Sequence, residues 1–320
     1  MMETMNSITS LIKASNVIII LPHIMADGDT LGSSLALHLA LEKVGKKSYI
    51  LIDEEIPTNL RFITKGQTII SNTEHLDPDL VIAVDCSDED RLGQRKNIFR
   101  KVPNSINIDH HKTNTLFAKN NLVDYSAAAT GEIIYNIIQY LGISICKDIA
   151  SSLYVAISTD TGSFKYDNTT SNTHMIAAAL LNHGINLNDI TTALYQNKPL
   201  YKLRLMIAAM NTLEFHYSSK LGIMLVSTKM IQEVGARQID VDGLIETVRD
   251  IEGVEVGVLL KEISDGEVKV GFRAKHDVDV SVIAGHFGGG GHKKASGCTI
   301  YDNLTNAKDS IIQIMDNYLR

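Results

Sequence analysis

The chain has 320 residues, 44% hydrophobic and 21% charged, with five Pro and no Trp, a globular composition long enough for two domains of ordinary size. Its net charge of −7 argues against a broad basic surface for long duplex nucleic acid, while a local basic pocket or bound divalent cations still suit a small anion. Cys86, Cys146 and Cys298 lie far apart with no C-x-x-C pair, which excludes a readable disulfide framework or thiolate zinc site.

The N-terminal stretch MMETMNSITSLIKASNVIII is acid-bearing and amphipathic, without a basic region before an apolar core. No apolar run approaches the roughly 18 residues of a membrane span. A soluble, cytoplasmic protein with no membrane partner is expected. Residues 3–14 predict a short helix leading into NVIIILPH, an apolar strand. DTLGSSLALHLALEKVG places Leu31, Leu35, Ala36 and Leu39 at helical spacing, with Gly45 as its stop. KSYILID, DLVIAVDCS and NSINIDHH predict three further strands, and TGEIIYNIIQYLG another Gly-terminated helix. Short continuous apolar strands alternating with amphipathic helices predict an α/β domain with a mostly parallel, doubly wound sheet. From Ile149 to His183 the pattern is helical, interrupted by the polar loop STDTGSFKYDNTTSNT.

Residues 188–218 read as a helical connector around Pro199, giving expected domains of 1–187 and 219–320 on either side. The second domain opens with the strand KLGIMLVST and a helix over 240–251. The strands VEVGVLLKEI and EVKVGFRAK then flank SDGE, whose Asp-Gly is a hairpin signal. A helix-like VSVIAGHF, the run GGGGH, ASGCTIYDN and the amphipathic TNAKDSIIQIMDNYLR complete a smaller α/β domain.

Ligands of open α/β sheets sit beyond the carboxyl ends of the strands. Several strands here pass directly into polar residues there: His23 with Asp27 and Asp29, Asp85, and Asp109 with His110 and His111. ISTDTGSF adds Asp160. Taken singly, each Asp reads as a turn or helix cap. His38, His174, His183 and His216 read as packed or surface histidines, and Asp88, Glu89 and Asp90 as a solvated helix start. Taken together, carboxylates and imidazoles without thiolates form a donor set for Mn²⁺ or a similar ion. The number of donors exceeds one ion's need and fits two divalent ions sharing a carboxylate, the device of phosphoryl hydrolysis. The glycine run, with His292, Lys293 and Lys294 beside it, reads as either a flexible loop or an anion cradle.

The ordered set H-x-x-x-D-x-D, strand-end D, D-H-H and T-D-T-G-x-F, followed by GFRAK and GGGGHKKASG, resembles the DHH phosphoesterases with their DHHA1-type substrate-binding domain. Length and domain make-up are similar to the nanoRNase/pAp-phosphatase group. The resemblance implies a phosphoester hydrolase acting on short RNA, dinucleotides such as pApA, and 3′-phosphoadenosine 5′-phosphate (pAp). It implies His23 and Asp27 on one Mn²⁺, Asp29 and His110 on the other, Asp85 bridging and Asp160 completing the shell. His111 would steady the phosphate, Asp109 would orient an imidazole, and Arg273, Gly290, Gly291 and His292 would contact substrate. A cleft between the domains, gated about the connector, would admit it. The rival readings are a single-strand DNA exonuclease, a pyrophosphatase and a non-catalytic nucleotide sensor. The oligomeric state is unreadable, a homodimer being the common default.

Overall fold

The computed structural model describes residues 2–241 and 243–319. The chain divides into two compact units, Met1–Asn197 and Lys198–Arg320. The first is built on a parallel sheet of β1 (Val17–Pro22), β2 (Lys47–Leu51), β3 (Ile69–Ile70), β4 (Leu80–Val84), β5 (Asn104–Asp109) and β6 (Asn120–Val123), in the order β3-β2-β1-β4-β5-β6. The four strands expected from the sequence are present. The two-residue β3 and the strand β6, one at each edge, are additional: β3 is two half-buried isoleucines and β6 begins with two half-buried asparagines, so neither carries a clear strand pattern.

Both faces of the central strands are covered, which explains their continuous apolar runs. Ile18, Ile20, Ile82, Val84, Ile106 and Ile108 pack beneath the helices Gly28–Lys43, Thr130–Tyr140 and Lys147–Asp160. Ile19, Leu21, Val81 and Ala83 face Leu92, Phe99 and Val102 on the other side. The strand order reverses direction between β1 and β4, so the crevice favoured by ligands opens at the carboxyl ends of those two strands.

Three helices meet closely behind that crevice. A Cβ on Gly32 would stand 2.5 Å from the Ser152 carbonyl oxygen and 2.9 Å from the Ala156 nitrogen, and one on Gly131 2.7 Å from the Ala156 Cβ. Backbone rather than a flexible side chain is met at Gly32, so nothing can swing away. Gly32→Ala is therefore expected to lower unfolding stability by about 1–3 kcal/mol, the usual range for overpacking. Urea titration checks this, and an unchanged midpoint would show that the helices separate freely.

Ile190 and Leu194 belong to the first unit's core, with Leu187–Thr191 α-helical and Thr192–Gln196 a π-turn. Pro199 then precedes the helix Leu200–Met210, whose Leu205 and Ala209 pack within the second unit. The second sheet contains β7 (Glu214–His216), β8 (Leu221–Val226), β9 (Val256–Ser264), β10 (Glu267–Ala274), β11 (Gly290–His292) and β12 (Ala295–Ile300), in the order β11-β12-β10-β9-β8-β7. Only the β8–β9 pair among these is parallel. Val268, Val270, Phe272 and Ala274 of β10 pack on the helices Val280–Gly285 and Leu304–Leu319, leaving Lys269, Gly271 and Arg273 on the opposite face. The helix expected over 240–251 is instead two short pieces, Gln238–Val241 and Ile245–Arg249. Gly243, with φ +87°, takes the chain out of helical geometry between them. Asp242 in that span lies outside the described residues. No helix of the described residues is long and apolar enough to cross a membrane.

Candidate active site

The loop after β1 is fixed before any ligand enters. The His23 backbone N–H donates to Thr30 Oγ1 (3.1 Å), and that hydroxyl donates to the Val84 carbonyl (3.0 Å), tying the ends of β1 and β4 together. Asp27 is the N-cap of the Gly28–Lys43 helix, its Oδ1 accepting from the Asp29 and Thr30 amides. Its other oxygen faces His23 Nε2 at 3.6 Å. The capping reading and the ligand reading are thus compatible, each using one oxygen. His23 Nδ1 lies 2.8 Å from the Ile24 carbonyl and 3.0 Å from Arg91 Nη2, and either tautomer satisfies one of the two contacts. With the proton on Nδ1, the Nε2 lone pair points at Asp27 and Asp85.

Asp29 is buried and is held from a distant part of the chain. It accepts the Thr130 amide (2.7 Å), the Gly131 amide (3.0 Å) and the Ser33 hydroxyl (2.9 Å). Those amides open the Thr130–Tyr140 helix, whose unpaired N–H groups favour a carboxylate.

Asp85 occupies the centre. Its backbone is left-handed, with φ 62°, directly after β4, a strained conformation for a residue with a side chain. Its Oδ1 accepts from Thr130 Oγ1 (2.8 Å). The same oxygen is 3.7 Å from both His110 Nε2 and His111 Nδ1, while Oδ2 is 3.6 Å from His23 Nε2. One carboxylate therefore presents its two oxygens to imidazoles on opposite sides.

His110 places Nδ1 at 3.2 Å from the Ala127 carbonyl and Nε2 3.6 Å from Asp160, which ends the Lys147–Asp160 helix. His111 Nδ1 is bonded to Asp109 Oδ1 at 2.7 Å, and Asp109, fully buried, also accepts from Asn114 at 2.6 Å. Three sets of donors converge within 4.8 Å: His23, Asp27 and Asp85; Asp29, His110 and Asp160; and Asp85, His110 and His111. All eight residues expected in the first unit are thus placed in or beside one cluster. Thr130, Ser33 and Asn114, which hold these carboxylates in place, were not among those expected. No local motif marks them: Thr130 reaches its carboxylates from a distant part of the chain, while Ser33 lies one helical turn from Asp29 and Asn114 in the turn after Asp109.

The electrostatics are those of carboxylates crowded together in a buried cluster. Burial, with the neighbouring Asp85 and Asp160, pushes Asp29 well above the usual carboxylate range. Burial and Asp27 likewise raise Asp85, against the pull of His23 and His110. Burial raises Asp160 to about 7, with Asp85 and Asp27 adding to it and His110 opposing. Burial alone would lower His111, yet its bond to Asp109 and the charges of Asp85, Asp109 and Asp160 carry it up to about 9.

These shifts give a signed expectation. Asp160 keeps its proton in the folded, cation-free chain between its ordinary 3.8 and about 7. Its stabilising contribution is present below that window and is lost as pH rises through it. A divalent cation needs the ionised carboxylates and displaces those protons. The rise in melting temperature on adding Mn²⁺ should therefore be larger at pH 7.5 than at pH 5.5. Asp160→Asn should reduce that difference, and equal increments at both pH values in the unaltered chain would contradict the arrangement.

In the second unit, Arg273 Nε donates to Glu246 (3.0 Å) and Nη1 to the Phe272 carbonyl. It lines a groove of about 830 Å³ together with Gly288 and Gly289. Gly290, Gly291 and His292 form the exposed edge strand β11 beside it and are absent from the lining. Hairpin packing accounts for part of the glycine run. A Cβ on Gly289 would stand 2.2 Å from the Gly297 carbonyl oxygen, and Gly291 has φ +142°. Gly290 has open space where its Cβ would lie.

Both units match known family models. The DHH family N-terminal domain matches residues 17–157, and the DHHA1 domain matches residues 224–320. The bifunctional oligoribonuclease and PAP phosphatase NrnA of Thermus thermophilus is 36% identical over 93% of this chain and 89% of its own length. The protein of that name from Bacillus subtilis is 25% identical over 91% of each. Among solved structures, an exopolyphosphatase-related protein from Bacteroides fragilis superposes with a TM-score of 0.92 at 22% identity, covering 99% of this chain and 97% of that one. The chain belongs to the DHH family, with a DHH N-terminal domain and a DHHA1 domain in one polypeptide.

Proposed function

We propose that this phosphoester hydrolase is metal-dependent, cleaves short oligoribonucleotides, dinucleotides such as pApA included, and removes a phosphate from pAp. The observation that carries the reading is Asp85, whose two oxygens serve two separate donor sets. The names of the Thermus and Bacillus relatives support the choice of substrates.

The donors are carboxylates and imidazoles only, which fits two divalent ions of the Mn²⁺ type. His23 and Asp27 would hold one, Asp29, His110 and Asp160 the other, with Asp85 common to both. When bound, such ions supply Lewis acidity toward phosphoryl oxygens and acidify water. The chain's own residues do the rest. Asp109 holds the His111 proton on Nδ1 and favours the imidazolium, which offsets charge gathering on the phosphoryl oxygens. Thr130 fixes the Asp85 carboxylate, and the amides of Thr130 and Gly131 fix Asp29, so little reorganisation accompanies the reaction. In the second unit, Arg273 and the open backbone at Gly290, with Gly291 and His292, would receive the rest of the substrate.

The test is hydrolysis of pApA, pAp and a long single-stranded DNA side by side, with Mn²⁺ and with chelator. Chelator-sensitive cleavage of the two small substrates is expected. Preference for the long DNA would move the chain to an exonuclease, and no activity on any of them would leave a nucleotide sensor.

A further inference from the structure

The first unit holds a second concavity, and none of the eight residues of the active-site cluster lines it. Its volume of about 540 Å³ is that of a small-ligand site. Three loops at the carboxyl edge of the parallel sheet surround it. Asp53 comes from the loop after β2, residues 71–74 from the loop after β3, and Gln94, Arg95, Ile98 and Lys101 from the segment after β4. The strand order 3-2-1-4-5-6 is that of dinucleotide-binding sheets. There the pyrophosphate lies over the loop after the first strand, and a carboxylate further along the chain accepts from the ribose hydroxyls. In this chain the loop after β1 carries His23, Asp27 and Asp29 instead, so the pyrophosphate position is taken. The ribose position is open, and Asp53 stands there, two residues past the end of β2.

Side chains carry the case beyond a likeness of topology. Arg95 lines the cavity although its side chain is only 2% exposed. Its Nε reaches the Leu92 carbonyl (3.3 Å) and its Nη1 the Leu51 carbonyl (3.0 Å). The buried Nη2 makes no hydrogen bond and stands 3.5 Å from Glu54. A buried guanidinium donor in that state is costly and calls for an acceptor. Asp53, Asn72, Gln94 and Lys101 converge on the same space. Asp53 has the 3.4 Å approach of Arg95 Nε, and the side chains of the other three make no hydrogen bond or ion pair among the described residues. Glu54 separates this cavity from the metal donors: one oxygen faces Arg95, and the other accepts the Met25 amide (2.9 Å), two residues before Asp27.

The geometry points to a separate, non-catalytic nucleotide site in the first unit, which binds a ribonucleoside monophosphate. Asp53 accepts from the ribose hydroxyls, Arg95 and Lys101 meet the phosphate, and the amides of Asn72 and Gln94 face the edge of a base lying against Ile98. The mixture of charges selects this class of ligand. A simple inorganic anion would use the two cations but be repelled by Asp53 and Glu74, which share the lining. A ribonucleotide uses both signs, because its hydroxyls need an acceptor and its phosphate needs cations.

Isothermal titration of the full chain with adenosine 5′-monophosphate and with its 2′-deoxy form, chelator present, tests this. The ribonucleotide should bind about tenfold more tightly, the scale of one hydrogen bond to a charged group. Asp53→Ala should bring that ratio close to one, and Lys101→Ala should weaken both ligands by about three- to tenfold. Both substitutions fall at exposed positions, and Arg273→Ala, in the other unit, should leave the ratio intact. Asp53→Ala is also expected to keep kcat and KM for pAp with Mn²⁺. No binding of either nucleotide, or a ribose preference that Asp53→Ala leaves unchanged, overturns the site. So does a preference lost with Arg273→Ala, which would put the nucleotide in the second unit. A KM for pAp that rises in step with the loss in Asp53→Ala would make the cavity part of the substrate path, and that too overturns a separate site. With cations removed the titration does not depend on hydrolysis, so an inactive chain that binds as described would keep the site and lose only the proposed activity.

Discussion

Asp85→Asn is expected to abolish turnover, lowering kcat by about 10³-fold or more, the scale set by losing a principal electrostatic element of a phosphoryl-transfer site. The exchange is the cleanest available. Asn tolerates the left-handed backbone found at this position, and its side-chain oxygen can keep the bond from Thr130. Alanine would add backbone strain and an unpaired hydroxyl, so a loss seen with it would be ambiguous. Removing one negative charge from a cluster where carboxylates raise one another should leave the cation-free chain at least as stable as before. The Mn²⁺-dependent rise in melting temperature should shrink sharply. A folded, cation-indifferent and inactive protein is the expected combination, measured by thermal melts and kinetics together. Turnover within tenfold of the unaltered chain would sink the shared-ligand role.

His111→Gln is the second large effect, a fall in kcat of about 10²–10³-fold, as for removal of one donor to a developing oxyanion. Cation-dependent stabilisation should largely persist, because both principal donor sets lie outside His111. Asp109→Asn separates orientation from charge. Asn can still accept from His111 Nδ1, but the field that lifts the imidazole to about 9 is weakened. Activity that needs the imidazolium is retained below its pKa and lost above it. The alkaline limb of the kcat/KM profile should therefore move to lower pH in Asp109→Asn, with a loss of about 10–100-fold near neutrality, typical of a disturbed supporting bond. An unmoved limb would assign that ionisation to another group.

The sequence carried the site further than it carried the sheet. Runs such as VIIILP and LVIAV announce buried parallel strands because both their faces are covered, and the polar residues that follow them can only lie at the strand ends. His23, Asp85 and the Asp109–His111 segment were legible for that reason. The edges of the sheet were not. Ile69–Ile70 is too short to show a period, and NNLV buries a single fully enclosed residue, Leu122. Asn114 and Thr130 were equally hidden, since each works through partners far away or within a turn. The glycine run gave an ambiguous signal because hairpin geometry requires glycine at some of its positions whatever ligand is bound.

Whether Asp85 joins a pair of cations is decided by titrating the metal-free chain with Mn²⁺ and following bound metal by electron paramagnetic resonance. Two Mn²⁺ per chain, with an exchange-coupled spectrum that Asp85→Asn abolishes, is the predicted result. A single uncoupled Mn²⁺ per chain, unaffected by that substitution, would contradict it.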